Sequence, residues 1–507
     1  MDKLNTTLIF GPPGTGKTNS LLNLVDEYLK KGISPEKIGF ISFTRKSVSE
    51  ARDRAAIRFN KNQKWFSYFK TIHALAFRQL GMSTSDVMGR SNYFEIGNLL
   101  GLKITGIQQV KTTDISEINK GDQLVFIESL SRLCCKELKQ SYDEINPDFS
   151  WEELDLYAST LIKYKKSNLL FDFTDMLVEF YNKGYKPNLE VLFVDEAQDL
   201  CLLQWKIVEQ LAQKSKKIYI AGDDDQAIFR WSGANVEYFI GLTKKCEIKI
   251  LHQSYRVPKK IYEMARDIST HINNRVKKEF KPTKEKGCIQ YVNEVTEINM
   301  DLGTWLILVR NVYMIEGVIK QLRLVGYLYE SIFDNSKTDN LKAAFLWEKL
   351  RNKNLLTIDE VKLVLSLMSK KHCPGSHRNI LESKNQNDLV GMEQLVNWFN
   401  ITCKEKIWHE ALDKINVEDR EYYIAARRKG ESFLKAPRIK ISTIHGAKGG
   451  EAENVVLHTD MSTRTYNAMV NNYDDEVRVF YVGITRTLKN LYIIQPQTPN
   501  YFNLLGV

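Results

Sequence analysis

Short runs of apolar residues, each closed by a polar or glycine-rich turn, recur along the chain: TTLIFG (6–11), IGFISFT (38–44), VLFVDE (191–196), KIYIAGD (217–223), IKILHQ (248–253), WLILVR (305–310), IKIST (439–443) and NLYIIQ (490–495). Unbroken apolar runs of this length read as strands buried on both faces, the mark of a parallel sheet. Helical stretches such as 17–30 and 45–58 lie between them and complete an α/β alternation. The strand signal stops between about 83 and 168 and again between about 336 and 435. There, charged amphipathic stretches at 123–141, 151–166, 341–352, 358–370 and 391–413 predict helices. The simplest architecture with this pattern is two α/β units, each interrupted by one mainly helical insertion. No internal repeat or low-complexity linker breaks it.

Composition changes this picture little. At 507 residues and 43% apolar, the chain has length for two to four domains. A net charge of +10 suits a polyanionic partner, although many enzymes reach it without one. Seven cysteines, with an adjacent pair Cys134-Cys135 and no CxxC, indicate reduced thiols rather than a disulfide framework or a zinc ribbon. His372, Cys373 and His377, with Cys403 and His409 beyond, follow no standard zinc spacing, so no metal is assigned to them. No apolar run reaches membrane-span length and the N-terminus leads straight into a strand, so neither a membrane nor a signal peptide is expected.

Candidate chemistry begins at GPPGTGKT (11–18), which follows a strand, precedes a helix and matches G-x-x-x-x-G-K-[ST]. Gly11, Gly14 and Gly16, with Pro12, Pro13 and Thr15 between them, let backbone N–H groups wrap phosphates at the positive end of a helix. Lys17 adds charge and Thr18 a hydroxyl for Mg²⁺. VLFVDEAQD (191–199) supplies the acids a nucleotide-hydrolysing site requires: Asp195 to hold Mg²⁺ and Glu196 as the base for the attacking water. Arg256 in HQSYRVP and Arg486 in YVGITRT are candidates for the cation at the γ-phosphate, a choice the residues alone leave open. In AGDDDQAIFRWSGA (221–234), three acids end a strand and are expected to shape the polar floor of the ATP site rather than a separate metal centre. Gln226 and Trp231 are five residues apart, at most roughly 17 Å of extended chain. On pattern alone Trp231 reads as core.

Taken together, these segments resemble the UvrD/Rep-type superfamily 1 DNA helicases. GPPGTGKT is similar to motif I, SFTRKSVSEARDR (42–54) to Ia, KTIHALAFRQL (70–80) to Ib, VLFVDEAQD to II and GDDDQAIFRWSGA to III. HQSYR (252–256) is similar to motif IV, STIHGAKGGE (442–451) to V and VRVFYVGITR (477–486) to VI, with FDFTDML (171–177) ahead of motif II. The resemblance implies two RecA-like P-loop domains with parallel sheets. The first would be 1–82 with 169–250, around a helical insertion 83–168. The second would be 251–335 with 436–507, around a reduced insertion 336–435. It implies ATP and Mg²⁺ as cofactors, Gln226 sensing the γ-phosphate, Tyr255 stacking on the adenine, Glu451 bonding the ribose, and Arg256 and Arg486 as arginine fingers. It also places Phe43, Thr44, His73, Phe229, Trp231, Thr443 and His445 along single-stranded DNA, where stacking is worth on the order of 1–3 kcal/mol per base.

The implied activity is an ATP-dependent DNA helicase, a monomeric cytoplasmic enzyme of a bacterial cell or phage-infected host. Its DNA partners would be single strands and their junctions with duplex, and a motif III without the proline of the opposite-polarity relatives implies 3′-to-5′ movement. The alternative is a DNA-stimulated ATPase switch that remodels or recruits a protein partner through its insertions. Three features depart from the family pattern: only Met1 to Asn5 precede the first strand, the first glutamine being Gln63, where the family carries a Gln-containing adenine-reading segment; the second insertion is short; and Gly450 stands where an apolar residue is usual. No fused nuclease is expected after the last strand.

Overall fold

The computed structural model describes residues 5–42, 45–60, 62–106, 118–331, 336–375, 378–382, 385–386, 388–432, 436–470 and 472–506. In chain order, the first half contributes β1 (Thr6–Phe10), β2 (Ile38–Ser42), β3 (Phe69–Lys70), β4 (Val191–Asp195), β5 (Lys217–Gly222) and β6 (Glu247–Ile250). They form one parallel sheet in the order β3-β2-β4-β5-β1-β6. Alternation along β1 splits the core: Leu8 and Phe10 pack with Trp205 and Phe239 on one face, while Ile9 packs with Phe40, Phe69 and Phe193 on the other. The central strands β1, β2 and β4 are buried at every residue, whereas edge strand β6 exposes Glu247, Ile248 and Lys249, and the charges of Glu247 and Lys249 blunt an open edge.

The second half contributes β7 (Cys288–Val292), β8 (Trp305–Val309) and β9 (Tyr329–Ser331), then a two-stranded antiparallel ribbon of β10 (Leu356–Thr357) and β11 (Leu389–Val390). Last come β12 (Ile439–Thr443), β13 (Ala452–His458) and β14 (Thr487–Ile494). A second parallel sheet has the order β7-β14-β13-β8-β12-β9. The molecule is therefore α/β with two parallel sheets flanked by helices.

All eight apolar runs of the sequence form strands, although IKILHQ is paired only as far as Ile250. Four further sheet strands carry weaker signals. β3 and β9 are two and three residues long, β7 lies at an edge with no residue buried, and β13 begins one residue after the pair Gly449-Gly450. The expected helix over 123–141 is two helices, Lys120–Leu133 and Leu138–Ile145, broken where Cys135 takes a left-handed φ of 53°. The stretch 391–413 likewise divides into Met392–Phe399 and Trp408–Ala411, with Asn400 at φ 54° closing the first.

Between β3 and β4 a helical segment builds its own core from Tyr93, Ile96, Leu124, Ile127, Leu154, Tyr157 and Leu161. It is tied down by buried charge. Arg132 binds Glu128 at 2.7 Å and Asp172 and Asp175 at 2.8 Å each, and Lys165 reaches both aspartates at 2.7 Å. A second helical segment between β9 and β12 packs around Trp347, Leu365, Phe399, Trp408 and Tyr423, with Cys373 and Cys403 inside that core. Among the described residues, no helix is long and apolar enough to cross a membrane.

Candidate nucleotide and nucleic-acid site

β1 delivers GPPGTGKT at its C-terminal end, and Lys17 opens the helix Lys17–Lys30 directly after it. Gly14 and Gly16 hold left-handed φ values of 71° and 76°. A Cβ on Gly14 would lie 2.3 Å from the Cβ of Arg256, so glycine also makes room for the second half of the chain. The helix has no side-chain cap at its N-terminus, which leaves its first N–H groups to an anion. Lys17 Nζ donates to the carbonyl of Gly11 at 2.9 Å, within the same loop.

β2 and β5 flank β4 and set Asp195, its last residue, opposite the loop, where Thr18 Oγ1 donates to Asp195 Oδ2 at 2.7 Å. Burial, with the Glu196 carboxylate beside it, pushes the Asp195 carboxyl up to about 6. A carboxylate short of positive charge and paired with a hydroxyl is a donor set that fits a hard divalent cation such as Mg²⁺. Glu196 turns out of the strand with φ 54° and accepts from Gln198 Nε2 at 2.6 Å. Burial raises its carboxyl too, but the Lys17, Lys448 and Arg486 cations outweigh that and hold it below the usual carboxylate range. Two adjacent acids thus differ in character: Asp195 asks for a cation, and Glu196 stays ionised, as a base must.

The second half of the chain closes over this loop. Ser254 Oγ donates to the Pro13 carbonyl at 2.7 Å, and the Tyr255 N–H donates to that of Gly14 at 2.8 Å. The Tyr255 ring is left 78% exposed, a free stacking face. Arg256 Nε donates to Glu451 Oε2 at 2.5 Å, so these two predicted ligands are partners of each other. Arg486, at the end of the helix Tyr473–Ile484, is fully buried and donates through Nη2 to Gln226 Oε1 at 2.9 Å. Burial and the nearby Arg256 lower the Arg486 guanidinium to about 9. Two guanidiniums in mutual repulsion, one of them desolvated, make a site for an anion.

Lys448 is a contact that spacing did not single out, although it lies within STIHGAKGGE. Its ammonium reaches both oxygens of Asp199 at 2.7 Å and the Gln226 carbonyl at 2.6 Å, pinning the segment after β5 from the far side.

The acidic run departs from the expected floor. Asp223 does join it, through its N–H to Gln198 Oε1 at 3.0 Å, and its Oδ2 accepts from Gln226 Nε2 at 2.6 Å. Asp224 and Asp225 instead face the second half of the chain. Lys278 Nζ lies 3.1, 2.6 and 2.8 Å from carboxylate oxygens of Asp223, Asp224 and Asp225, and Arg275 grips Asp225 with Nε at 2.8 Å and Nη2 at 2.5 Å. Among the described residues, no cluster of His, Cys, Asp and Glu could hold a further metal.

Three residues after Gln226, a row of rings begins. Phe229 and Trp231 flank His445, with centroids at 6.3 and 6.4 Å, and Trp231 lies nearly parallel to Phe126 of the first helical segment at 6.0 Å. Trp231 is only partly buried, not a core residue as pattern alone would have it, and its Nε1 is enclosed without a hydrogen-bond partner. His445 is buried, and that burial, with Arg310 and Lys448 nearby, lowers its pKa so that the ring is neutral. Thr443 Oγ1 accepts from the Gly446 N–H at 3.1 Å. His73 lies edge-on to Phe173 at 6.1 Å. Phe43 and Thr44, predicted nucleic-acid contacts, and His377 of the histidine–cysteine group lie outside the described residues.

Comparison with known proteins identifies relatives of the chain. Residues 3–247 match the family model of the UvrD/REP helicase N-terminal domain, and residues 439–494 that of the UvrD-like helicase C-terminal domain. The chain is 27% identical over 306 residues to the ATP-dependent DNA helicase PcrA of Leuconostoc citreum, covering 57% of this chain and 40% of that protein. It is 26% identical over 297 residues to a probable DNA helicase of Mycoplasma pneumoniae, covering 54% of each. With PcrA of Staphylococcus epidermidis it shares 27% over 309 residues, 57% of this chain and 41% of the relative. The chain thus matches about half, or less, of the length of these curated relatives.

Proposed function

We propose that this chain, which belongs to the UvrD/Rep helicase family, hydrolyses ATP with Mg²⁺ to move 3′-to-5′ along single-stranded DNA and part the duplex ahead of it. One observation carries the reading: a phosphate loop and a two-acid strand end on one sheet meet Gln226 and Arg486 between the sheets, three residues from a row of aromatic rings. On this reading residues 1–82 with 169–250 and residues 251–335 with 436–507 are the two RecA-like domains, and 83–168 and 336–435 are their insertions.

ATP sits with its phosphates in GPPGTGKT, its adenine against the exposed Tyr255 ring and its ribose near Glu451. Lys17 exchanges the Gly11 carbonyl for the phosphates. The metal, held by Thr18 and Asp195, would neutralise charge on the β- and γ-phosphates. Glu196 accepts a proton from the attacking water. Arg486 and Arg256 meet the charge that builds at the γ-phosphate, and for Arg256 this means release from Glu451. Gln226 is bonded to Arg486, so loss of the γ-phosphate is felt in the segment that carries Phe229 and Trp231. Alternating closure of the two domains then becomes stepping along the strand.

The test is ATP-dependent strand displacement on duplexes with a 3′ or a 5′ single-stranded tail. Displacement from the 3′ tail is the expected result. Preference for the 5′ tail would defeat the polarity, and DNA-stimulated hydrolysis without displacement would favour the switch that remodels or recruits a protein partner.

A further inference from the structure

We infer that Lys278 is a positioning residue for ATP hydrolysis: through Asp223 it fixes which way the Gln226 amide points. Nothing in the nucleotide-binding motifs includes it. It lies in the loop between the helix Lys259–Ser269 and β7, on the second half of the chain, more than fifty residues from the glutamine it governs.

A glutamine amide has a donor end and an acceptor end of nearly the same shape, so its direction is set only by its partners. Here the donor end, Nε2, is held by Asp223 Oδ2 at 2.6 Å, which leaves Oε1 to accept from Arg486 Nη2 at 2.9 Å. Reversed, the amide would set N–H against N–H at Arg486. Its direction therefore rests on Asp223 Oδ2 being held where it can accept.

The Asp223 side chain is held in place by what faces its other oxygen. Lys278 Nζ lies 3.1 Å from Asp223 Oδ1, and the same ammonium answers Asp224 and Asp225, with all four side chains buried. Oδ1 also accepts from the Asp225 N–H at 3.3 Å, a longer contact, and the other contacts of the cluster go elsewhere. Arg275 binds Asp225, the Val276 N–H donates to Asp224 Oδ2 at 2.7 Å, and Arg478 Nε donates to the Asp224 carbonyl at 3.0 Å. Without Lys278, three buried acids would share one guanidinium that touches only Asp225, and Asp223 Oδ1 would keep only a long contact to the Asp225 N–H. An Asp223 side chain free to turn no longer fixes which end of the Gln226 amide faces Arg486.

The inference rests on the reading that the chain hydrolyses ATP, and its test separates the two. Steady-state hydrolysis with single-stranded DNA is measured for the full chain and for K278M, Q226A and the double variant. Lys278→Met is expected to lower kcat by about tenfold or more with KM for ATP within about twofold, because the Lys278 ammonium bonds to the acids at 223–225 and the Val276 carbonyl rather than to GPPGTGKT. In the Q226A background the same change should cost less than about twofold, because a residue acting through Gln226 has nothing left to position. Losses that multiply in the double variant, or a K278M kcat within about twofold of the parent, overturn the inference. Should K278M fail to fold, the cycle is run on a D224N background, where one negative charge is removed along with the positive one, and the same outcomes decide. A parent that hydrolyses no ATP would instead defeat the functional reading itself.

Discussion

Asp195→Asn should make the protein more stable while destroying its activity. The carboxyl rises from an ordinary 3.8 to about 6 in the fold, chiefly through burial and secondly through Glu196. At about 1.4 kcal/mol per pH unit, keeping it ionised at neutral pH costs the fold up to about 3 kcal/mol. The folded protein holds this proton up to about 6, whereas the unfolded chain releases it near 4. The stability that protonation contributes is therefore complete below about pH 4 and is lost as pH rises through about 6. Asparagine removes the charge and keeps the contacts: the Glu196 N–H still finds an oxygen, and the Thr18 hydroxyl turns to accept from the new amide. Thermal unfolding followed by circular dichroism in Mg²⁺-free buffer should show D195N melting several degrees above the parent near pH 7.5, at roughly 2–4 °C per kcal/mol. The gain should fall to about 1 kcal/mol near pH 4.5, and ATP hydrolysis should be lost at every pH. A variant that melts at or below the parent near pH 7.5, or whose gain does not change with pH, would refute the argument from burial.

Three further outcomes are expected. Arg486→Ala should lower DNA-stimulated hydrolysis by about 10³–10⁵-fold, with affinity for single-stranded DNA changed by less than about tenfold, measured by a coupled ATPase assay and fluorescence anisotropy. Trp231→Ala should weaken binding to an oligonucleotide by about 1–3 kcal/mol, and a titration that leaves Kd within about twofold would remove Trp231 from the DNA path. Trp347→Ala deletes the fully buried centre of the second helical core, where its Nε1 donates to the Lys406 carbonyl at 2.9 Å; a loss of about 3–5 kcal/mol should appear as rapid limited proteolysis within 336–435.

The sequence reading was most legible where chemistry is local. GPPGTGKT and VLFVDEAQD sit at strand ends because an apolar run followed by glycine or acid has few other places to go, and Thr18 meets Asp195 as such an arrangement requires. β13 was missed although it is central in its sheet, since its apolar core is only Val455, Val456 and Leu457 and the polar Glu453 and Asn454 stand directly before it. The break after Leu133 carries no glycine or proline to announce it: the exposed Cys135 takes φ 53° in a local helix stop, where its N–H donates to the Arg132 carbonyl at 3.1 Å and the Lys136 N–H to that of Ser131 at 2.8 Å. Least legible were partners distant in sequence. Lys278 and Arg275 are two of seventy-two Lys and Arg residues, and nothing near them says that they answer the acids at 223–225. Lys448 was inside a quoted motif, but its grip on Asp199 exists only once both sheets have formed and come together.

The first helical segment leaves and rejoins the α/β unit at one point. The Met88 N–H donates to the Phe171 carbonyl at 2.9 Å, and the Phe171 N–H donates to that of Asp86 at 2.8 Å. A chain that departs and returns side by side is a cassette in a socket: the strands would keep their register if the whole excursion were exchanged for another. What the socket demands of a replacement is electrostatic. Asp172 and Asp175 belong to the receiving side, and Arg132 and Lys165 are brought by the cassette. Any substitute must therefore arrive with two buried cations at that seam, or with its two carboxylates rewritten, before its own packing matters.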